Sequence, residues 1–321
     1  MKKDIRTNRL FVAAIAVLCT LLWGTAFPAI KIGYRLFRID PSDIPAQLIF
    51  AGLRFALAGI IVLAAGCISG AKTKKMPVLH KRDILPVCIL SLFQTYGQYL
   101  LLYVGIVRVS GTNSSLYTSA AAFTSVLLSA AVFRSDKLTL KKILGCVIGL
   151  AGIIAMIAGK PAGGVTILGD GLVILSNVSG GIGNVISKKI NTGRTPAQVS
   201  GWQLFIGGTA LTLTGIFLGG WLDFSEPACI IILIYLGAMA GTAFLLWTML
   251  LFHNPVSRVA VYNLLIPVFG TMWSGIFLGE NIFTLQNLIS LVLVCAGIFL
   301  VNSAKHSIAT SIKDQDNTTQ N

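Results

Sequence analysis

The sequence predicts an all-α integral membrane protein with ten transmembrane helices, arranged as two inverted five-helix repeats. Three observations predict this fold: the composition, the number of long apolar runs, and an internal duplication. The 321 residues are 55% hydrophobic and only 11% charged, whereas soluble domains carry roughly 25% charged residues. Most of the surface is therefore expected to face lipid.

Ten apolar runs are long enough to cross a bilayer, which requires about 20 mostly apolar helical residues. The first run follows a basic N-terminus and is longer than the apolar core of a cleaved signal peptide, so we interpret it as a span. The polar stretch 303–321 is predicted to be a disordered cytoplasmic tail. The predicted spans are 10–31, 44–68, 84–107, 112–133, 143–159, 171–187, 197–218, 228–252, 256–278 and 283–302.

The chain contains an internal duplication that covers most of both halves. Residues 100–153 recur as 245–298 at a constant offset of 145 positions, and earlier parts match at an offset near 156. The predicted repeats are therefore 1–159 and 160–302. Duplication of this kind is typical of secondary transporters. Matching pairs include Gln47/Gln203, Leu100/Leu245, Tyr117/Tyr262, Ser129/Ser274, Leu140/Leu285 and Gly152/Gly297.

The positive charges predict the orientation of the chain. Nineteen of the 25 Lys and Arg residues lie in segments on the same side as the N-terminus, and five lie in the opposite segments. Because Lys and Arg accumulate in cytoplasmic loops, both termini are predicted to be cytoplasmic, in the cell (inner) membrane. Five spans is an odd number, so consecutive repeats have opposite orientations. Loop 134–142 carries four positive charges and its duplicate 279–287 carries none, which agrees with this inversion.

Several classes of function are disfavoured. The net charge of +14 is explained by the cytoplasmic loops, so no nucleic-acid partner is predicted. The six cysteines form no CxxC pair and the three histidines are far apart, so we predict no metal site and no cofactor. No nucleophile, base and carboxylate occur together at membrane depth, so an enzyme is not expected. The ATP-binding motif GxxxxGK[ST] is also absent from the sequence.

Short motifs in a fixed order carry a resemblance to a known family. Span one contains Trp23-Gly24, span two contains Arg54-Phe55, and span nine contains Pro267 and ends in Leu278-Gly279-Glu280. With ten spans in two halves, the chain resembles the EamA-type transporters of the drug/metabolite transporter superfamily over about 10–302. The resemblance implies transport of a small molecule, with amino acids and other metabolites among the family's substrates. In the first repeat, Ala122 and Ser135 stand at the positions of Pro267 and Glu280.

Arg54 is the clearest candidate for contact with the solute. It is a charge inside a span, where it costs about 2.5–3.5 kcal/mol on insertion scales. No Asp or Glu lies at mid-span to neutralise it. Its partners are therefore expected to be carbonyls, amides or an anionic solute such as a carboxylate. A structural anchor is the alternative interpretation.

Other polar and aromatic residues within the spans are candidates for the same site. Gln94 and Gln98 share one helical face, and Trp23–Pro28 aligns with the glycine-rich segment 180–185, where helix interruptions are expected. Interhelical hydrogen bonding and packing remain the alternative roles for these residues. The predicted substrate-binding set is Trp23, Phe27, Arg54, Gln94, Gln98, Tyr117, Asn177, Asn184, Gln203, Trp247, Tyr262 and Asn263, with Pro28, Pro267 and Glu280 in gating or coupling.

The leading function is a secondary transporter, in the direction of export, for a small metabolite such as an amino acid, with the lipid bilayer as its other partner. A multidrug efflux carrier of the same fold is the alternative, and a non-transporting membrane scaffold is the alternative from a different class. Small-xxx-small patterns at Gly145/Gly149, Gly237/Gly241 and Gly275/Gly279 permit close helix packing and leave a homodimer open.

Overall fold

The protein is all-α throughout the described residues. The computed structural model describes residues 5–40, 42–73, 76–106, 117–133, 136–157, 167–278 and 285–303. These residues form helices and short turns and contain no β-strand. The α-helices are α1 (Arg9–Leu36), α2 (Ile44–Thr73), α3 (Lys81–Ser91), α4 (Gly97–Ile106), α5 (Ser119–Val132), α6 (Leu140–Ile157), α7 (Ile167–Lys189), α8 (Pro196–Phe217), α9 (Ala228–His253), α10 (Val256–Ala260), α11 (Leu265–Leu278) and α12 (Leu285–Ser303).

Several helices have the length and hydropathy of membrane spans. Five described segments are long and apolar enough to cross a bilayer: Arg9–Leu36, Ile44–Gly70, Lys81–Gly105, Ala228–His253 and Val256–Phe277. Helices α6, α7 and α8 contain 18, 23 and 22 residues, close to the length of about 20 that a bilayer core requires. The protein is therefore a multi-pass membrane protein, as the composition predicts.

The helix interruptions differ from the expected ones. α1 continues through Pro28, and α7 continues through the glycines at 180–183, so the expected breaks at these two places are wrong. A single proline removes one backbone hydrogen bond, which a long helix held by its neighbours tolerates. The breaks lie instead at a π-helical turn between α3 and α4 (Leu92–Tyr96) and at a 3-10 turn between α10 and α11 (Val261–Leu264).

The most extensive helix contacts pair elements from the two halves of the chain. α2 packs along α8, and α6 packs along α12. α1 lies against both α9 and α11, while α7 lies against both α4 and α5. Each half therefore completes its packing only by contact with the other half.

The small-xxx-small patterns are used for packing within the chain. A Cβ atom at Gly145 would lie 2.7 Å from the carbonyl oxygen of Gly297 on α12, and one at Gly241 would lie 3.0 Å from the carbonyl oxygen of Ala58 on α2. These surfaces thus bring α6 to α12 and α9 to α2. The pair Gly275/Gly279 ends outside the described residues.

Candidate functional site

Asn184 on α7 is the centre of a buried hydrogen-bond network that joins three neighbouring segments. Its side-chain oxygen accepts hydrogen bonds from Nε1 of Trp247 at 3.0 Å and from Nε2 of Gln94 at 3.3 Å. Its amide nitrogen donates to the hydroxyl of Ser125 at 3.1 Å. Asn184, Gln94 and Trp247 are all buried. Three of the predicted site residues therefore meet at one point.

The glycine-rich part of α7 lets the helix approach the glutamines closely. A Cβ atom at Gly183 would lie 2.7 Å from Cβ of Gln94, and one at Gly180 would lie 2.7 Å from Oε1 of Gln98. A larger residue at either position would separate the helices. Gln94 and Gln98 thus both face α7, which agrees with their prediction as one face.

The π-helical turn directs two adjacent polar side chains to different partners. It is closed by the amide of Gly97, which donates to the carbonyl of Leu92. Gln94 contacts Asn184, while the hydroxyl of Thr95 donates to Oε1 of Gln203 on α8 at 2.6 Å. The Nε2 group of Gln203 is buried without a hydrogen-bond partner. Turns of this kind inside α-helices are frequent at functional sites.

A chain of aromatic contacts leads away from Asn184. The Trp23 ring lies edge-on to Trp247, with ring centroids 5.0 Å apart, and edge-on to Phe244 at 5.4 Å. Phe244 in turn lies 6.3 Å from Phe55. The indole nitrogen of Trp23 is buried without a hydrogen-bond partner. We call the set Trp23, Gln94, Ser125, Asn184, Phe244 and Trp247 the central cluster.

Arg54 lies at the far end of this aromatic chain. Only 4% of its surface is exposed. Its guanidinium carbon lies 4.6 Å from the centroid of the Phe55 ring and 5.7 Å from that of Tyr99. One terminal nitrogen donates to the hydroxyl of Tyr103 over a long 3.4 Å, and Nε has no partner. We call Arg54, Phe55, Tyr99 and Tyr103 the arginine cluster.

The remaining predicted residues are less closely associated with these clusters. Tyr117 donates to a carboxylate oxygen of Asp170 at 2.7 Å, and Asp170 lies about 21 Å along α7 from Asn184. Asn177 donates to the carbonyl of Val173 in its own helix. Tyr262 is buried in an apolar cluster. The structure therefore does not bring Tyr117 to Asn184.

The residues predicted to act in gating are dispersed. Pro28 is buried within α1, and Pro267 is the third residue of α11. Asn263, which belongs to the predicted substrate-binding set, lies in the 3-10 turn before α11, and its side-chain oxygen is buried without a partner. Glu280 and the side chain of Phe27 lie outside the described part of the structure.

Sequence reasoning missed a buried ion pair near the start of α10. Nζ of Lys142 lies 2.5 Å from a carboxylate oxygen of Asp136, and both side chains are almost fully buried. Asp136 also accepts hydrogen bonds from the backbone amide and the hydroxyl of Ser257. The sequence signal was an acidic residue in a loop rich in Lys and Arg, next to the position that matches Glu280.

A second carboxylate, Asp83 at the start of α3, was also missed. Nε of Arg194 lies 2.9 Å from one of its oxygens, and Nε2 of Gln198 donates to the other at 2.9 Å. These contacts join α3 to the start of α8. Within the described residues, no group of three or more His, Cys, Asp and Glu side chains is arranged to hold a metal ion.

A bundle of membrane-length helices around buried amide, hydroxyl and indole groups is the arrangement of a polytopic membrane transporter. Comparison with family models gives the family. The EamA-like transporter family model matches residues 10–158 and again residues 167–303. The chain belongs to this family, as the short motifs predicted.

Individual relatives agree with this assignment. A probable amino-acid metabolite efflux pump of Salmonella typhimurium is 27% identical over 303 residues, covering 89% of this chain and 93% of the relative. A protein of the same description from Escherichia coli is 28% identical over 300 residues, with coverages of 89% and 93%. The relatives are named as transporters or efflux pumps, not as enzymes. A solved crystal structure with a TM-score of 0.74 and 19% identity covers 91% of this chain and 96% of its own, which shows the shared fold.

Replacing Asn184 with leucine is expected to lower the unfolding temperature. The change removes the acceptor of Gln94 and Trp247, and each buried donor left unsatisfied costs about 1–3 kcal/mol. Asn177→Leu is the matched control, because the Asn177 amide donates within its own helix. Thermal unfolding of both variants in detergent provides the comparison. Equal unfolding temperatures for the two variants would contradict the central role of Asn184.

Proposed function

We propose that the protein is a secondary transporter that exports a small metabolite, such as an amino acid or related compound, by alternating access. Ten transmembrane helices would form two inverted five-helix repeats, 1–159 and 160–302, in the inner membrane with both termini in the cytoplasm. The observation that carries the proposal is the pairing of helices from the two halves around buried polar groups. The matches of the family model to 10–158 and 167–303 support the same division.

The helix contacts have the pattern that a pseudo-twofold arrangement requires. If the spans of the two proposed repeats are exchanged in order, the α2–α8 and α6–α12 contacts map onto themselves. The contacts of α1 with α9 and α11 map onto those of α7 with α4 and α5. All these contacts are present. A transporter with repeats related in this way can alternate between two states by exchanging the packing of its halves.

Contacts at the two ends of the bundle support an inverted orientation. Arg6, just before α1, lies 3.0 Å from His253 at the end of α9. Lys188, near the end of α7, donates to the carbonyl of Phe252 at 2.9 Å. α1 therefore begins close to the place where α7 ends, which supports opposite directions for these two helices. At the other end, Arg38 lies 3.3 Å from Asp223.

The chemistry of the buried residues suits a small polar solute. The central cluster supplies amides, a hydroxyl and indole rings, and the arginine cluster supplies a cation. Binding sites for small molecules combine apolar walls with a few polar groups that orient the ligand. The names of the Salmonella typhimurium and Escherichia coli relatives support an amino acid or a related metabolite.

Counterflow in proteoliposomes tests the proposal. Vesicles that contain the purified protein and an unlabelled L-amino acid are diluted into the radiolabelled form, and each of the common amino acids is assayed in turn. A carrier accumulates label transiently above equilibrium, whereas empty vesicles do not. An ionic current that does not saturate as solute concentration rises would indicate a channel. Absence of counterflow for every amino acid, in protein whose unfolding is cooperative, would contradict amino-acid transport.

The aromatic chain from Trp23 to Phe55 favours a second candidate, efflux of larger apolar compounds. Rings of this kind, where they line a transport path, would accept varied ligands through ring contacts. Growth of cells with and without the gene in the presence of toxic aromatic compounds distinguishes the two. Resistance to many unrelated compounds, without amino-acid counterflow, would favour drug efflux. If the protein shows neither counterflow nor resistance, a non-transporting membrane scaffold becomes the favoured function.

A further inference from the structure

We propose that Arg54, together with the hydroxyl groups of Tyr34 and Tyr103, forms a subsite for the carboxylate of the transported solute. This inference rests on the proposed transport function and names the part of the solute that is recognised. It also identifies a specificity-determining residue, because amines and amides that lack the carboxylate would bind less well.

The polar contacts of Arg54 differ from those of partly buried Arg194 and buried Lys142. Nε of Arg194 lies 2.9 Å from Asp83, and Lys142 lies 2.5 Å from Asp136. Arg54, by contrast, is 4% exposed and has no carboxylate within ion-pair distance among the described residues. Its hydrogen bond to Tyr103 is 3.4 Å long, and Nε is unpartnered. An uncompensated buried cation inside a membrane span is costly, which makes such a residue a candidate for function.

The geometry of the arginine cluster suits a planar anion. The rings of Phe55 and Tyr99 lie beside the guanidinium group and stabilise it by cation–π interaction. These rings cannot satisfy its N–H donors, which point along the edges of the group. A carboxylate accepts two parallel hydrogen bonds from such an edge, with a strength that neutral acceptors do not match.

Two tyrosine hydroxyls extend the subsite. Tyr103 accepts from Arg54, and Tyr34 on α1 packs against the buried cluster that contains Phe55 and Tyr103. Hydroxyl groups can donate as well as accept, so both can turn toward an arriving carboxylate. Tyr34 and Tyr99 are only partly buried, so part of each residue remains accessible. The subsite thus combines α1, α2 and α4.

The aromatic chain indicates the direction in which the rest of the solute would extend. Phe55 leads to Phe244, and Phe244 leads to Trp23 of the central cluster. A solute with its carboxylate at Arg54 would present its remaining groups to these rings and to the amides beyond them. Arg54 lies about 15 Å along α2 from Ile44, well inside the membrane. A solute bound at this depth could exchange with each side of the membrane in turn.

Competition in counterflow tests the subsite. An unlabelled L-amino acid and its carboxamide compete against the radiolabelled amino acid with the strongest counterflow, in vesicles containing wild type, Arg54→Gln or Arg54→Lys. We expect the wild type to prefer the acid about tenfold or more, Arg54→Gln to lose this preference, and Arg54→Lys to keep part of it. An unchanged preference in folded Arg54→Gln would overturn the proposal.

Two further measurements separate this proposal from its alternatives. The same amino acids and carboxamides are tested for thermal stabilisation of the purified protein, which does not depend on transport. Stabilisation by an acid that disappears in Arg54→Gln supports the subsite even if counterflow fails, and then only the transport function is contradicted. If no acid stabilises the wild type more than Arg54→Gln, the subsite is wrong.

Unfolding without ligand tests whether Arg54 is a structural anchor. Arg194→Gln is the matched control, because it removes a partly buried arginine that has a carboxylate partner. We expect Arg194→Gln to unfold at a lower temperature and to keep the preference for acids. Arg54→Gln should unfold at or above the temperature of the wild type. A loss of stability as large as that of Arg194→Gln would overturn the proposal and assign Arg54 a structural role.

Discussion

We expect most molecules of the Gly208→Leu variant to fail to fold. α2 and α8 form the most extensive helix contact in the structure, and Gly208 lies at its closest approach. A Cβ atom there would lie 2.2 Å from the backbone nitrogen of Ala56 and 2.7 Å from the carbonyl oxygen of Gly52. Backbone atoms cannot rotate away as a side chain can, so the helices must separate. We expect a cost of about 3 kcal/mol or more.

Fluorescence-detected size-exclusion chromatography and thermal unfolding measure this effect. Gly171→Leu is the matched control, because no atom lies within 4 Å of a Cβ at Gly171 on α7. It should give a monodisperse peak and an unfolding temperature close to that of the wild type. If Gly208→Leu behaves like this control, the packing of α2 on α8 described here is wrong.

Asp136→Ala is expected to destabilise the protein by about 3–5 kcal/mol, since it leaves the buried ammonium of Lys142 without its partner. The side chain of Lys142 is only 4% exposed. The change also removes the acceptor of the Ser257 amide at the first turn of α10. The contact between loop 136–139 and the interrupted helix α10–α11 should weaken as a result.

Thermal unfolding of two variants measures this effect. The double variant Asp136→Ala/Lys142→Met removes both charges together and should recover much of the stability lost in the single variant. If the double variant does not regain stability, the lost hydrogen bond between the Ser257 amide and Asp136 causes most of the effect. The unpaired ammonium of Lys142 then contributes little. A single variant as stable as the wild type would contradict the buried ion pair.

The same carboxylate gives an expected dependence on pH. Burial alone would raise the pKa of Asp136, but hydrogen bonds from Lys142 and Ser257 outweigh it and hold that pKa below its usual value. A lowered pKa stabilises the folded state above the ordinary range near 4, and this stabilisation is lost as pH falls through the lowered pKa. Unfolding temperatures measured below pH 4 should fall less in Asp136→Asn than in the wild type. Equal slopes would contradict the shift.

The candidate site was predictable in part. Asn184, Gln94, Gln98, Trp23 and Trp247 stand out in sequence as polar or indole groups inside apolar runs, and the structure brings them together or against the same helix. Tyr117 was predicted as a site residue because Tyr262 occupies the matching position of the second repeat. Tyr117 donates to Asp170, whereas the equivalent residue, Tyr262, lies in an apolar cluster, so the duplication carried no information about a shared site.

Backbone interruptions were harder to predict. Pro28 and the glycines at 180–183 have the composition of helix breaks, yet both helices continue because neighbouring helices hold them. The π-helical turn at Leu92–Tyr96 contains neither proline nor glycine. Its position depends on partners for Gln94 and Thr95 that lie about 90 and 108 residues further along the chain.

The sequence by itself determined that this protein resides in a lipid bilayer. It also determined the positions of the apolar helices, the internal duplication and the family. These properties follow from composition and periodicity, which are local. Only the tertiary structure decided which polar groups meet: Asn184 with Trp247, Asp136 with Ser257, and Arg54 with aromatic rings and no carboxylate. The physical reason is that a buried polar group must find its partner in space, and the nearest partner in space is set by how two distant helices pack.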